Sequence, residues 1–174
     1  MDNVKQATKT EFDNLSQSFE QSKRNTGIWV YNNSTSEVNI PANSRTPLTN
    51  YWGGVKKDYL NEWVSRQFRP QEDGFYNFSL EICLNATWTQ GDEITVDLTT
   101  YKVEYPGNTI LGKYIIPRAM TGNIPLVFAR TLWVSAYSSH FSEFEFFVTS
   151  TKAAKIPIAP YGDYLNLTIT RVAK

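Results

Sequence analysis

The chain has 174 residues, which is enough for one domain with a hydrophobic core and a short appendage. Its 17 basic and 17 acidic side chains cancel, whereas nucleic-acid-binding domains are usually basic, so we expect no nucleic-acid partner. Cys83 is the one cysteine, which excludes an internal disulfide, and no apolar run is long enough to cross a membrane. The polar N-terminus does not resemble a signal peptide, so we expect folding in a reducing cytoplasm.

The N-terminal segment predicts a helix with a narrow apolar stripe. Residues 2–24 contain no glycine or proline, and Phe12, Leu15 and Phe19 recur at spacings of three and four, as in a coiled-coil seam. Gly27 is suited to the left-handed cap that ends a helix. A lone helix with so few apolar residues is marginal in water, so it needs copies of itself, the following domain or another protein to pack against. A frayed or docked tail is the alternative.

From Gly27 onward the hydrophobic pattern has the period of two that is typical of half-buried strands. The predicted strands are 27–31, 37–40, 45–52, 74–84, 94–101, 109–116, 125–137, 141–150 and 164–172. Turns are predicted at 53–54, 91–92, 106–107, 122–123, 138–140 and 160–163, and residues 55–69 fit either a helical turn or irregular strands. The pattern predicts an all-β, antiparallel jelly-roll sandwich of about 8–10 strands after a short N-terminal α-helix. We divide the chain into a helical anchor or coiled-coil segment, residues 1–26, and a head domain, residues 27–174.

The strand that opens at Gly74 has the clearest alternation in the chain. One face, which we expect to point into the core, carries Tyr76, Phe78, Leu80, Ile82 and Leu84. The other face carries Phe75, Asn77, Ser79, Glu81 and Cys83.

The entry to this strand resembles a known family. Phe68-Arg69-Pro70 followed by Gly74-Phe75-Tyr76-Asn77-Phe78 is similar to the trimeric jelly-roll heads of the tumour-necrosis-factor-like and complement-head-like proteins, in which a proline precedes a Gly-x-Tyr that opens a central strand. The extended residues 38–47 and the last strand, 164–172, fit the same order. The resemblance implies a homotrimer. A different sandwich, such as a carbohydrate-binding module, is the alternative.

In the resembled family one sheet of each subunit faces the threefold axis. If the match holds, Phe75, Asn77 and Ser79 point toward the axis, with Tyr164 as a neighbour. The surface that faces the axis in this family is usually more aromatic than Phe75, Asn77, Ser79 and Glu81. The resemblance therefore implies a trimer interface that contains more water. Phe12, Leu15 and Phe19 would trimerise the helix.

A helix followed by a jelly-roll head also resembles structural proteins of tailed bacteriophages. This resemblance implies a non-enzymatic fibre or capsid-decorating head on the virion surface, made in the host cytoplasm. The N-terminal segment would attach it to other virion proteins, and the head could aid host attachment. The alternative is a receptor-binding tip or a carbohydrate-binding module that recognises host cell-surface or cell-wall glycans. Fold likeness alone does not fix function.

The sequence offers little for catalysis, so we expect no enzyme, no cofactor, no bound metal and no membrane partner. His140 is the one histidine, in a Ser-Ser-His-Phe corner, and no Gly-x-Ser-x-Gly elbow is present. Zinc needs several histidine or cysteine ligands. Asp92-Glu93 and Gly162-Asp163 could offer calcium oxygen ligands, but neither belongs to a spaced acidic loop, and solvated turn acids are the favoured interpretation.

Three tryptophans remain as candidates for ligand binding. Trp52, Trp63 and Trp88 lie in or beside predicted loops, where aromatic rings of sandwich proteins can stack on sugars. Packing at the ends of the sandwich or between subunits is the interpretation we favour for each of them.

Overall fold

The fold is seen in a computed structural model, which describes residues 9–17, 27–32, 35–58, 60–100, 107–136, 143–158 and 164–173. Phe19, His140 and the predicted turns at 106–107, 138–140 and 160–163 lie wholly or partly outside the described residues.

The described chain consists of one helix, one 3-10 turn and thirteen strands. The helix, α1, covers residues 9–17, and the 3-10 turn is Thr49–Tyr51. The strands are β1 (Ile28–Asn32), β2 (Val38–Ile40), β3 (Thr46–Pro47), β4 (Trp52–Asp58), β5 (Trp63–Val64), β6 (Gln67–Phe68), β7 (Gly74–Trp88), β8 (Glu93–Thr100), β9 (Gly107–Ile115), β10 (Met120–Val134), β11 (Phe144–Ser150), β12 (Ala154–Ile156) and β13 (Leu165–Ala173).

The strands form two antiparallel sheets that pack face to face. In the first, which we call the β7 sheet, the order is β2-β12-β7-β13-β1-β4, and β10 also pairs with β7. In the second, the β8 sheet, the order is β5-β6-β11-β8-β9, and β3 pairs with β11. The first and last strands are neighbours, and β7 lies between β13 and β10. The predicted all-β jelly-roll sandwich after a short N-terminal helix is therefore confirmed.

The core lies between the two sheets and is rich in aromatic rings. The predicted inward set of β7 is buried, as the alternation requires: Tyr76, Phe78, Leu80, Ile82 and Leu84. Phe68 of the β8 sheet lies 5.4 Å from Tyr76 and 5.8 Å from Phe78 between ring centroids. Edge-to-face pairs of this kind contribute about 0.5–1.5 kcal/mol each beyond the area they bury. These rings therefore join the two sheets.

Several strand boundaries differ from the predicted ones. Of residues 55–69, for which the sequence fits a helical turn or strands, the described ones form no helix but the end of β4, the short strands β5 and β6 and their connections. Gly53-Gly54 lies inside β4 and Gly122-Asn123 inside β10, so neither pair is a turn. Long-range pairing explains this: β10 pairs with β7 along all of Gly74–Trp88, and this ladder carries the backbone through Gly122. The short strand β12 was not predicted.

Gly27 lies where the chain enters β1, and a close backbone contact requires glycine at this position. Its φ of 63° is left-handed, and a Cβ at this position would lie 1.9 Å from the carbonyl oxygen of Ile169. The entry to β1 thus passes so close to β13 that only glycine fits.

The hairpin between β5 and β6 stores backbone strain. Ser65 and Arg66 both have positive φ, 52° and 68°, as in a type I′ turn, which favours Asn-Gly. We expect the double substitution Ser65→Asn/Arg66→Gly to raise the free energy of unfolding by about 1 kcal/mol, because glycine lacks a Cβ and asparagine tolerates the left-handed region better than most residues. Urea denaturation measures this difference. The control Ser65→Ala/Arg66→Ala should give no gain, and an equal gain would contradict the explanation.

Candidate functional site

The outer face of the β7 sheet carries the three most exposed Phe and Trp side chains of the described head. Trp29 on β1 is 39% exposed, Phe75 on β7 43%, and Trp133 on β10 54%. Their neighbours in sequence, such as Ile28 and Val30, are buried, so the alternation turns these rings outward. One sheet face therefore presents apolar surface that the single chain leaves in solvent.

One aromatic pair lies where β7 and β10 are neighbours. Phe75 and Trp133 occupy paired register positions, and their ring centroids are 5.0 Å apart in an edge-to-face arrangement. Farther along β10, Val127 is 65% exposed and is paired in register with Glu81. Trp133 and Val127 lie on a different strand from the predicted interface residues, and only the β7–β10 register brings them together.

Small and uncharged side chains occupy the middle of this face. Asn77 lies between Thr131 of β10 and Thr170 of β13 in register, and its side-chain amide donates to the Thr131 hydroxyl at 3.2 Å. Ser79 lies between Ala129 and Thr168. Because none of these side chains is long or charged, another molecule could approach this part of the sheet closely.

Tyr164 reaches the same face at the other end of β7. Its carbonyl oxygen accepts a hydrogen bond from the backbone N–H of Cys83 at 2.9 Å. Tyr164, Glu81, Cys83 and Val127 are among the residues that line an open depression of about 340 Å³. Burial raises the pKa of the Cys83 thiol, which therefore stays protonated rather than becoming a reactive thiolate. The structure thus brings Phe75, Asn77, Ser79 and Tyr164 to one sheet face.

On the outer face of the β8 sheet, the outward aromatic ring is covered by a side chain of the same molecule. Phe147 is only 8% exposed, because the Arg45 guanidinium lies 3.4 Å above its ring centroid. Arg45 is held there by Asp97, to which its Nε donates at 2.9 Å. One sheet covers its outward ring with its own cation, whereas the other leaves Phe75 and Trp133 largely uncovered.

For two of the three tryptophans that were candidates for sugar binding, the structure shows that the prediction was wrong. Trp52 is 3% exposed and Trp88 1% exposed, so the core covers the ring faces on which a sugar would stack. Trp63 is partly buried and packs edge-on against Trp52, with ring centroids 6.1 Å apart. Packing at the ends of the sandwich, the favoured interpretation, describes their positions.

Helix α1 presents two of its three predicted apolar side chains to solvent. Phe12 is 71% exposed and Leu15 is 74% exposed in the single chain. The third, Phe19, lies outside the described residues.

A buried carboxyl group lies at one end of the sandwich. Glu62 is 3% exposed, and its side chain accepts hydrogen bonds from the Gln71 N–H at 2.8 Å and the Tyr76 hydroxyl at 3.4 Å. Burial raises the pKa of Glu62 above its ordinary value of 4.5. Arg171 pairs with the neighbouring Glu72 rather than with Glu62. These bonds join β7 to the loops that precede it, which is a structural arrangement.

Neither a metal site nor a membrane-spanning helix is seen in the described ranges. Within these ranges, no three His, Cys, Asp or Glu side chains are grouped so that they could hold a metal ion. Of the helical residues described, none belongs to a helix long and apolar enough to cross a membrane.

Comparison with known proteins identifies the fold. No protein-family model matches the sequence, and no characterised protein matches it by sequence. The Eiger TNF of S. frugiperda is similar in structure, with a TM-score of 0.60 and 11% identity over 85% of this chain and 92% of that one. The PRD1 vertex protein P5 is similar with a TM-score of 0.57 and 14% identity over 85% of this chain and 97% of that one. At such low identity the likeness shows the fold, a TNF-like jelly roll.

The raised pKa of Glu62 predicts a pH dependence of stability. When a carboxyl group has a higher pKa in the folded than in the unfolded chain, its contribution to the free energy of unfolding is present at low pH. That contribution is lost as the pH rises from the unfolded pKa through the folded pKa. We expect the free energy of unfolding of the natural chain to fall relative to Glu62→Gln as the pH rises from 4.5 toward neutrality. Denaturation at several pH values measures both proteins, and parallel curves would contradict the assignment.

Proposed function

We propose that this protein is a homotrimeric structural protein of a virion, a bacteriophage fibre or capsid-decorating head, in which the β7 sheets of three copies face the threefold axis. The observation that carries this proposal is the uncovered aromatic face of that sheet, with Phe75 and Trp133 in contact. Asn77 and Ser79 alone would give an interface rich in water. Because β10 adds Trp133 and Val127, the proposed interface contains both polar and apolar side chains.

Burial of these rings is the driving force of the proposed trimer. A large apolar side chain gains about 1.5–3 kcal/mol on leaving water, and each subunit contributes Phe75, Trp133 and Val127. Rotational symmetry lets one such face serve in every copy and close the assembly without leaving a free patch. The small side chains around Ser79 and Ala129 allow the sheets to approach one another.

The virion location is supported by two independent features. The fold likeness includes a protein described as the vertex protein P5 of PRD1. Helix α1 leaves Phe12 and Leu15 exposed, as expected of a segment that packs on its own copies or on another virion protein. In this proposal residues 1–26 are the anchor, residues 27–174 are the head, and the protein is neither an enzyme nor dependent on a cofactor.

A charge placed on the proposed interface should dissociate the trimer. Val127→Glu puts three carboxylates where apolar surface would be buried, and an unpaired buried polar group costs roughly 2–7 kcal/mol. We expect a trimer for the natural chain and a folded monomer for this variant, measured by light scattering coupled to size exclusion.

Ile115→Glu is the matched control, because Ile115 is 55% exposed on β9 of the β8 sheet, outside the proposed interface. It should remain trimeric. A natural chain that is monomeric at micromolar concentration would refute the trimer, and a trimeric Val127→Glu protein would place the interface elsewhere.

The anchor can be tested with the head unchanged. We expect Phe12→Asp/Leu15→Asp to abolish incorporation into purified particles, because the helix loses its apolar stripe. The melting temperature of the head should stay the same. Mass spectrometry of the particles measures incorporation, and Asp13→Ala, on another side of the same helix, is the control. Normal incorporation of the double variant would show that the anchor lies elsewhere.

A further inference from the structure

A second cluster lies on the same outer face of the β7 sheet but at its other edge, where β1 pairs with the edge strand β4. It consists of Trp29, Tyr31 and Lys56, and we call it the β1 corner. The Lys56 ammonium lies 4.3 Å from the ring centroid of Trp29 and 4.8 Å from that of Tyr31. Among the described residues, no carboxylate forms a salt bridge with Lys56, and its ammonium group lies over the two rings at the surface.

Two irregularities of β4 build this corner. Trp29 pairs with Lys57 but Val30 pairs with Val55, so Lys56 is an extra residue without a partner in the ladder. A second shift follows between Tyr31 and Asn32. Bulges of this kind bend an edge strand and redirect a side chain. Here the first shift directs Lys56 over the outer face of β1.

The Tyr31 ring packs directly against Gly54 of β4. A Cβ at this position would lie 2.3–2.5 Å from three outer atoms of Tyr31, the nearest being Cζ. The ring therefore lies against the β4 backbone, across a position that only glycine leaves open. Glycine and bulge together bring an exposed Trp29 ring, a half-buried Tyr31 ring and an exposed ammonium group to the same place.

We infer that the β1 corner binds an acidic sugar, a pyranose that carries a carboxylate or phosphate group. The C–H face of a pyranose would stack on the Trp29 ring in place of the Lys56 ammonium group, which would turn from the ring to pair with the anion. Thr168 and Asn166, which pair with Trp29 and Tyr31 in the ladder, add a hydroxyl and an amide beside the rings. This corner also gives an exposed alternative to the buried Trp52 and Trp88.

The site goes beyond the proposed trimer and does not depend on it. Two strands, β13 and β7, separate β1 from β10, which places the corner roughly 14 Å from the Trp133 strand at ordinary strand spacing. A virion head could therefore use the β10 edge of this face for assembly and the β4 edge for an anionic surface glycan.

Binding is measured on the full chain by NMR of 15N-tryptophan-labelled protein. The probes are glucuronic acid, glucose 1-phosphate and neutral glucose, each titrated in the same buffer. We expect the Trp29 indole signal, assigned with Trp29→Phe, to shift with at least one acidic sugar and far less with glucose. The two acidic probes distinguish a carboxylate from a phosphate ligand. Light scattering of the same samples records the oligomeric state separately.

Three variants test the chemistry. Lys56→Gln should weaken acidic-sugar binding by roughly tenfold, the expected loss of one charged hydrogen bond, and leave binding of glucose unchanged. Lys113→Gln removes a lysine from the β8 sheet and should have no effect. Gly54→Ala should weaken binding of every sugar, because it displaces the Tyr31 ring without removing a contact group.

The inference is overturned by any of three results. These are no shift of the Trp29 signal with either acidic sugar, a shift confined to another indole, or equal affinity for glucose and the acidic sugars with no effect of Lys56→Gln. Each can occur with the trimer intact, so failure of this site and failure of the assembly are distinguishable.

Discussion

The structure depends on the alternation of side chains along β7, the strand that pairs with β10 along its whole length. A strand must send neighbouring side chains to opposite faces of its sheet. Tyr76 and Phe78 therefore enter the core and contact Phe68 of the other sheet, which fixes the sandwich. The same rule sends Phe75, Asn77 and Ser79 outward at the centre of the β7 sheet, so the residues that build the core also define the exposed face.

The two outer faces of the sandwich have opposite designs. On the β8 sheet, Arg45 covers Phe147 and is itself paired with Asp97, so this outward aromatic ring is covered within one chain. On the β7 sheet, Phe75 and Trp133 contact each other and remain largely exposed. An apolar ring in water costs free energy that a partner can recover. This contrast within one molecule is the physical basis of the proposed assembly.

Aromatic residues fall into three classes by position. Rings such as Trp88 are buried and hold the sandwich together, and rings such as Trp133 lie where a second copy could cover them. Trp29 and Tyr31 belong to the third class, since an ammonium group lies over them on a bulged edge strand. The abundance of tryptophan in the composition therefore corresponds to several physical roles.

The sequence by itself determined the fold class, most of the strands and the two faces of β7, because these follow from local alternation and turn residues. The family resemblance added Tyr164 as a neighbour of Phe75, Asn77 and Ser79, and the four residues do lie on one sheet face. It could not separate strand from helix in residues 55–69, where short edge strands are held by contacts with distant residues.

Tertiary structure alone decided which outward residues become neighbours. The β7–β10 register placed Trp133 against Phe75, and the bulges of β4 placed Lys56 over Trp29 and Tyr31. It also buried Trp52 and Trp88, which the sequence had placed beside loops. Period-two alternation gives the face of a side chain but not its partners across strands, because pairing register is set by residues that are far apart in the chain.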